Sequence, residues 1–591
     1  MTESLLSITE TPNELTNDID IASPVGIVRI LRQSDSQIFN GWRDFSSLSD
    51  EEIQKKIETC ILEVMNLFKS KGKKAIIISG AGTSGRLAMY VSRTFNLLLK
   101  KKGLEPIFHY LIAGGNLALI VAQEGAEDNP IQAVTDLRKI SDNVDRIFYV
   151  GVTCGFSAPY VASQLFYLQN VKNSFNVLFG FNPVERSRNV PIENWDKTFL
   201  DVVKSIEKKK NFLILNPILG PEPITGSTRM KGGSATKIVL DTIFSIALIK
   251  LGIIKKEEIS LLEIKPDIPI IDMIKVMLDE YENVRGKTYE ELDDIAKLIE
   301  VAGKALRAKS HIYYLGKTPE GILGNVDASE CPPTFGADFE DVRGFVVSGW
   351  KKFLYTGEDL SNVGPLYRID TNEFIKVKLP KLKTTDVVIG IGEKKLDKEI
   401  LNILKQAHKK GANIGAIIIN GSKKNIQFGV GNSRDCSLQN NHYTIFPQLR
   451  NLCIAKGIPS FTEFSLKLIL NAITTGGHIL SGKIYRNRMI DLRISNNKLF
   501  YRTIGIISKI MGVKEEFARE CLLKSIYETD KLTEKIIKAP ISEHINVGSK
   551  KEKIVPRALL LATGNFNISS ATKAIKKEPI VRNIIEKITL N

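Results

Sequence analysis

The chain has 591 residues, of which 43% are hydrophobic and 25% charged, with a formal net charge of +16. This length predicts about three domains with cores of ordinary size. The six cysteines form no CxxC pair, which argues against a zinc ribbon, and the lysines are scattered without interleaved aromatics, which argues against a nucleic-acid-binding protein. The polar N-terminus argues against a secreted protein, and the short apolar runs argue against a membrane-spanning one.

The first half of the chain predicts a helical N-terminal segment followed by an α/β domain. Ser23 and Pro24 have the pattern of a helix start, and Ser49 is the expected N-cap of a second helix. Continuous apolar segments such as "KKAIIISG" and "DRIFYVGV" are typical of parallel strands that are buried on both faces. A long helix over "TRMKGGSATKIVLDTIFSIALIKLG" closes the unit.

The second half repeats this order of strand, turn and helix. "HIYYLGKTPEGILGNVDASE" repeats the first unit, and "TDVVIGIGEKKLDKEILNILKQAHKKG" repeats the second. Such internal repetition indicates a duplicated domain. We expect an N-terminal segment at 1–45, a first α/β domain at 46–262, a linker near Glu263–Met273, a second α/β domain at 274–495 and an all-α lid at 496–591.

A glycine-rich turn, "SGAGTSGR", stands between the first strand and its helix. Gly82 and Gly85 permit close approach of the backbone, and free N–H groups at a helix start favour an anion. Thr83 and Ser84 add hydroxyl groups. Because the turn lacks a P-loop lysine and a downstream ribose-binding acid, it predicts a sugar phosphate in preference to a nucleotide. A tight turn without a ligand is the alternative.

Two further hydroxyl-rich turns follow in the same half, and an acidic segment lies between the first and second turns. The turns contribute Thr153, Gly155 and Ser157, then Ser227, Thr228 and Ser234. Turns at the carboxyl ends of parallel strands meet in one crevice. Glu124 and Glu127 would share one face if their segment were helical, and a solvated helix end is the alternative.

Several motifs together resemble one family. "SGAGTSGR", "EGAED", "TGSTRMKGGSATKIVL", "DASECPPTFG" and "IDLRISNNKLF" are similar to those of sugar isomerase (SIS) domain proteins, in particular the N-acetylmuramic acid 6-phosphate etherases and the glucokinase regulatory proteins. The resemblance implies two tandem SIS domains, each a flavodoxin-like αβα sandwich with a parallel sheet, plus a helical lid. It also implies a monomer whose two domains act as a pseudo-dimer.

The resemblance also implies a ligand site shared by both halves. Carried over residue by residue, the site comprises Gly82, Thr83, Ser84, Gly85, Arg86, Glu124, Glu127, Thr153, Cys154, Gly155, Ser157, Ser227, Ser234, Glu330 and Lys498. Glu330 would reach across from the second domain, and Lys498 from the lid. Lys231 has two equal readings, phosphate-directed or structural.

The repeat is asymmetric at three positions of this site. Thr94 stands where the second copy has Glu330, whereas Glu320 and Ile322 stand where the first copy has Ser84 and Arg86. A carboxylate in place of a phosphate-binding serine would repel a phosphate strongly in a low-dielectric site. The sequence therefore predicts one ligand site in place of two.

Two functions fit the resemblance. The first is a regulator that binds fructose 6-phosphate or fructose 1-phosphate and inhibits glucokinase or hexokinase, in the cytoplasm with the nucleus as an alternative. Its partner-facing surface would lie near Phe446 and Leu449, and the equal alternative is that these two are core strand residues. The second is a lyase that releases lactate from N-acetylmuramic acid 6-phosphate, with Glu330 as the acid and Glu127 handling the other proton or water. Neither requires a metal or cofactor, and Cys331 is expected to be a packed thiol.

Overall fold

The computed structural model describes residues 7–123, 125–192, 195–422, 442–491, 494 and 497–589, without the side chains of 497 and 498. Five parallel strands form the first sheet in the order β2-β1-β3-β4-β5. They are β1 (Lys74–Gly80), β2 (Phe108–Ile112), β3 (Arg146–Val152), β4 (Ser174–Phe179) and β5 (Phe212–Leu215). The burial of β1 on both faces confirms the predicted parallel sheet.

Seven helices belong to the N-terminal part and the first half. They are α1 (Pro24–Asn40), α2 (Glu51–Lys69), α3 (Gly82–Lys101), α4 (Pro130–Ser141), α5 (Pro159–Leu168), α6 (Phe199–Ile206) and α7 (Lys231–Lys250). The Ser23 side chain caps α1 as predicted. The prediction for α2 was wrong by one residue, because Asp50 occupies the N-cap position.

The second half repeats the same sheet. Its strands are β6 (Ile312–Gly316), β7 (Val342–Val346), β8 (Val387–Glu393), β9 (Asn413–Ile419) and β10 (His442–Ile445), in the order β7-β6-β8-β9-β10. Each sheet thus has the order 2-1-3-4-5 counted from its own first strand, which is the flavodoxin-like arrangement. The shared order confirms the duplication and the α/β fold class.

The helices of the second half begin in the linker. They are α8 (Ile270–Thr288), α9 (Leu292–Arg307), α10 (Glu320–Phe335), α11 (Gly349–Phe353), α12 (Thr371–Glu373), α13 (Lys398–Lys409) and α14 (Ser460–Leu480). Helix α1 crosses onto this half, where Tyr289 donates a hydrogen bond to Asp35 at 2.5 Å and Arg285 donates one to the Arg32 carbonyl at 3.1 Å. One large core extends through both halves.

The C-terminal part is helical, as predicted, and has its own core. A short hairpin, β11 (Ile484–Tyr485) and β12 (Arg488–Met489), leads into it. The helices are α15 (Asn497–Met511), α16 (Glu515–Tyr527), α17 (Glu534–Lys538), α18 (Ile541–Gly548), α19 (Ile554–Ala562), α20 (Ile568–Lys577) and α21 (Val581–Thr589).

Helix α7 is long and apolar enough to cross a membrane, and it is the one such helix within the described ranges. The protein buries it completely, between α2, α3 and α14. Its apolar composition is thus accounted for by its position in the core of the first half.

The expected partner-facing residues of the second half are not on the surface. Phe446 and Leu449 are 8% and 5% exposed, whereas Arg450 is exposed and pairs with Glu263 at 2.7 Å. Both apolar side chains follow the edge strand β10 and turn into the core, so of the two alternatives the core position is confirmed and the apolar surface at these residues is wrong.

Candidate functional site

A cleft of about 360 Å³ opens at the carboxyl edge of the first sheet, between the two halves. The first turn, the third turn and helix α10 all contribute to its walls. Of the predicted residues, those lining the cleft are Gly82, Thr83, Arg86, Glu127, Ser227 and Glu330. The structure thus brings residues that are 248 positions apart (Gly82 and Glu330) into one site, and a sugar phosphate is of suitable size for it.

The glycine turn is tightly folded against the start of α3. A side chain at Gly80 would place its Cβ 2.6 Å from the Ser84 Cβ and 2.9 Å from the Ser84 carbonyl carbon. At Gly85 it would lie 2.5 Å from Ile112. The close packing of the turn against α3 and Ile112 therefore requires glycine at both positions. This turn places the N-terminus of α3, a 20-residue helix, toward the cleft. This end of the helix favours an anion.

A buried ion pair joins the two halves beside the cleft. The Arg86 Nη1 of α3 donates to the Glu330 Oε1 of α10 at 2.5 Å, and these side chains are 1% and 7% exposed. Arg86 Nε donates to the Leu119 carbonyl at 3.1 Å. Its Nη2 is buried and has no hydrogen-bond partner among the residues that the structure describes. Glu330 therefore does reach across the boundary, and Arg86 keeps a donor to offer.

The third turn is held by the second half. Ser227 Oγ lies 3.3 Å from Thr334 Oγ1, and Arg229 pairs with Asp327 at 3.1 Å. Lys231 is fully buried, and its Nζ donates to Gln37 and to the Leu219 carbonyl. Of the two readings of Lys231, the structural one agrees with these contacts.

The second turn lies under the N-terminal segment. A Cβ at Gly155 would approach Ser7 Oγ and Thr9 Oγ1 within 2.9 Å, and the Gly226 N–H donates to the Thr9 carbonyl at 2.9 Å. The segment therefore bridges the second and third turns. Sequence reasoning missed this cover, since a polar stretch far from the turns gives no pattern that places it there.

Four predicted residues, three in the second turn and one in α3, do not line the cleft. Thr153 Oγ1 accepts from the Ser157 and Ala158 N–H groups at 3.3 Å, while Ser157 is exposed. Ser84 Oγ lies 4.0 Å from Cys154 Sγ, and burial raises the pKa of that thiol to about 12. Ser84 and Cys154 are therefore packed against each other and not against the cleft.

Four predicted residues have other outcomes. Ser234 is buried in α7, and its hydroxyl has no hydrogen-bond partner among the described residues. Glu124 and the side chain of Lys498 lie outside the described residues, although residue 498 itself belongs to α15. Glu127 is exposed in a short 3-10 helix, Ala126–Asp128, at the rim of the cleft.

The twin of this site, in the second half, is altered at the matching positions. Thr94 is buried and donates to the Tyr90 carbonyl at 3.1 Å, and Ile322 is fully buried. The twin therefore carries no counterpart of the Arg86–Glu330 pair. Burial, and then the nearby carboxylates of Glu393 and Glu463, raise the pKa of Glu320 to about 7.

We expect Glu320→Gln to stabilise the protein at alkaline pH. The folded state holds a proton on Glu320 up to about pH 7, compared with 4.5 for an ordinary glutamate, so wild-type stability falls as pH rises through this window. The variant should gain about 1–2 kcal/mol in free energy of unfolding at pH 8.5, after allowance for partial exposure, and almost nothing at about pH 4, below the ordinary pKa of glutamate. Urea denaturation at both pH values measures the difference, and an equal gain at both would contradict the assignment.

Models of three domains match the chain: the N-terminal SIS domain of glucokinase regulatory protein at residues 56–169, its second SIS domain at 289–481 and its C-terminal lid domain at 486–585. The glucokinase regulatory protein from Xenopus laevis is 33% identical over 99% of this chain and 93% of its own length. The one from Homo sapiens is 34% identical over 98% of this chain and 92% of its own length. N-acetylmuramic acid 6-phosphate etherase 1 from Bacillus licheniformis is 31% identical over 43% of this chain and 77% of its own length, in the N-terminal half.

Proposed function

The chain belongs to the glucokinase regulatory protein family, and we propose that it binds a sugar phosphate in the cleft between its halves and, in that state, inhibits a glucokinase or hexokinase. The similarity extends over the second SIS domain and the lid, whereas the etherase relative matches less than half of the chain. A regulator therefore accounts for more of this chain than an etherase does.

The observation that carries the proposal is the buried Arg86–Glu330 pair. It places a cation from one half and a carboxylate from the other at the wall of the same cleft. The unpartnered Nη2 of Arg86 is a donor for a ligand oxygen. A sugar phosphate with its phosphate at the start of α3 and its hydroxyls near Glu330 would contact both halves at once.

Such a ligand can regulate only if it binds two conformations unequally. The hairpin that leads into the lid reaches the cleft, since Met489 lines it, and the lid also approaches the N-terminal segment, where Arg502 of α15 lies 4.0 Å from Glu10. Fructose 6-phosphate, by this proposal, favours the inhibitory arrangement of these parts, and fructose 1-phosphate opposes it. Lys498 of the lid would supply a point charge to the phosphate.

The test is inhibition of a purified glucokinase by the full chain, with fructose 6-phosphate, with fructose 1-phosphate and with neither. We expect inhibition to rise with the first ligand and to be relieved by the second. Arg86→Gln should remove the dependence on both ligands. Inhibition that is indifferent to both sugar phosphates, or no inhibition of glucokinase or hexokinase, would contradict the proposal.

The etherase reaction is the second candidate, because Glu127 and Glu330 line the same cleft and two carboxylates can share acid and base work. The test is lactate release from N-acetylmuramic acid 6-phosphate. Release that disappears in Glu330→Gln would favour the lyase, whereas no release by a chain that still binds sugar phosphates would exclude it.

We further propose that the protein acts as a monomer in the cytoplasm, with the nucleus as an alternative location. One chain already supplies both halves of the cleft, so a second copy is not needed to complete it. Sedimentation equilibrium should give 65.8 kDa, and a fluorescent fusion would report the location.

A further inference from the structure

A second cavity, of about 340 Å³, lies between the halves and shares no lining residue with the sugar-phosphate cleft. Helix α3 and strand β2 of the first half form most of it, and the loop after α11 of the second half forms the rest. Its walls include Met89, Ser92, Arg93, Phe108, His109 and Tyr355. We call this space the α3–β2 cavity.

Arg93 supplies a buried positive charge to this cavity. It is 9% exposed, and its Nε and Nη2 donate to the Lys352 carbonyl at 3.2 and 2.9 Å. It forms no ion pair within the part of the chain that the structure describes. Glu463, a carboxylate whose charge acts on Arg93, is already paired with Lys237 at 2.6 Å. A buried charge without a close counter-ion is unfavourable, and an anion in the cavity would relieve it.

Two neutral groups in the cavity also have free hydrogen-bonding capacity. Ser92 is 2% exposed, and its hydroxyl has no hydrogen-bond partner in the described part of the chain. His109 forms no side-chain hydrogen bond with the described residues, and burial lowers its pKa, so the neutral ring offers one donor and one acceptor. Buried polar groups in folded proteins are nearly always satisfied, so the buried Ser92 hydroxyl, with the half-buried His109 ring in the same cavity, indicates a site for a small polar ligand.

The duplicated half provides an internal comparison. The strand registers place Arg343 of β7 where β2 has His109. Arg343 is satisfied, since it donates to Glu340 at 2.7 Å and to the Leu366 carbonyl at 3.0 Å. The matching cavity has shrunk to about 10 Å³. In the second half this space is therefore filled and Arg343 is paired. In the first half the space is open, and the Ser92 hydroxyl has no partner among the described residues.

We propose that the α3–β2 cavity binds a small aromatic monocarboxylate, with the carboxylate on Arg93 and Ser92 and the ring against Met89, Phe108 and Tyr355. One free cation matches one negative charge. The carboxylate of Glu358, which accepts a hydrogen bond from Asn116 near Tyr110, adds negative charge on this side and disfavours a doubly charged phosphate. The volume exceeds that of an inorganic anion and suits a ring-bearing molecule.

Phenylacetate is the probe for this proposal, measured by saturation-transfer NMR on the full chain. We expect saturable binding to the wild type, at least tenfold weaker binding of the neutral phenylacetamide, and no displacement of phenylacetate by inorganic phosphate. Arg93→Gln should weaken phenylacetate binding at least tenfold. Thr356→Trp places a large ring at the exposed edge of the cavity and should also block binding, without removing a buried charge.

Lys352→Ala is the matched control, because its exposed side chain carries a charge beside the cavity while only its backbone contacts Arg93. It should change phenylacetate affinity less than twofold, and all three variants should be checked by thermal melting. Undiminished binding to Thr356→Trp, equal binding of the amide, displacement by phosphate or absence of phenylacetate binding would each overturn the proposal. None of these measurements depends on the sugar-phosphate cleft.

Discussion

Glu330→Ala should lower the free energy of unfolding by about 3–5 kcal/mol, because it leaves the Arg86 guanidinium buried without its counter-charge. Arg86 is 1% exposed, and its remaining side-chain bond is to the Leu119 carbonyl. Urea denaturation monitored by circular dichroism measures the loss. Glu105→Ala, at an exposed glutamate in no ion pair with the described residues, should change the same quantity by less than about 0.5 kcal/mol.

The twin site shows how the pair can be replaced. At the positions that match Arg86 and Glu330 it has Ile322 of the second half and Thr94 of the first, both buried. The double variant Arg86→Ile/Glu330→Thr reproduces that composition at the sugar-phosphate cleft. Because an apolar replacement of a buried ion pair is often nearly neutral, the double variant should be at least about 2 kcal/mol more stable than Glu330→Ala. It should nevertheless lose sugar-phosphate binding. A double variant as unstable as the single one would contradict the view that the loss comes from the uncompensated charge.

The fold was largely predictable from the sequence, for a physical reason. Strands of a parallel sheet are buried on both faces, so β1, β3, β4, β8 and β9 stand out as apolar runs. Strands β2 and β7 were missed. Their sequences, "FHYLI" and "VRGFV", include a histidine, an arginine and a glycine, and β7 lies at an edge of its sheet, as β2 does.

The candidate site was predictable only in part. The position of Glu330 opposite the glycine turn follows from the family resemblance. Its ion-pair partner, Arg86, does not, because spacing in sequence gives no side-chain direction across an interface. The same limit applies to Ser84, whose hydroxyl faces Cys154 below the turn. Phe446 and Leu449 show the same limit for apolar residues. An apolar side chain that follows an edge strand can point to solvent or into the core, and here both point into the core.

Gly80→Ala should destabilise the protein by about 2–3 kcal/mol and weaken fructose 6-phosphate binding more than tenfold. The added methyl group would lie 2.6 Å from the Ser84 Cβ and 2.9 Å from backbone of the first turn of α3, so that turn must shift, with the strain of an overpacked interior. Displacing the start of α3 also moves the N–H groups proposed to receive the phosphate.

Gly316→Ala is the matched variant in the second copy. Gly316 ends β6 as Gly80 ends β1, and its added Cβ would lie 2.5 Å from the Gly321 Cα. We expect a similar loss in urea denaturation, also about 2–3 kcal/mol, with fructose 6-phosphate affinity changed less than threefold by calorimetry. Equal loss of affinity in both variants would mean that binding follows overall stability. Loss of affinity in Gly80→Ala alone would place the ligand's phosphate at the glycine turn of the first copy. The second copy, which has Glu320 in place of the serine, would then contribute Glu330 to the same site.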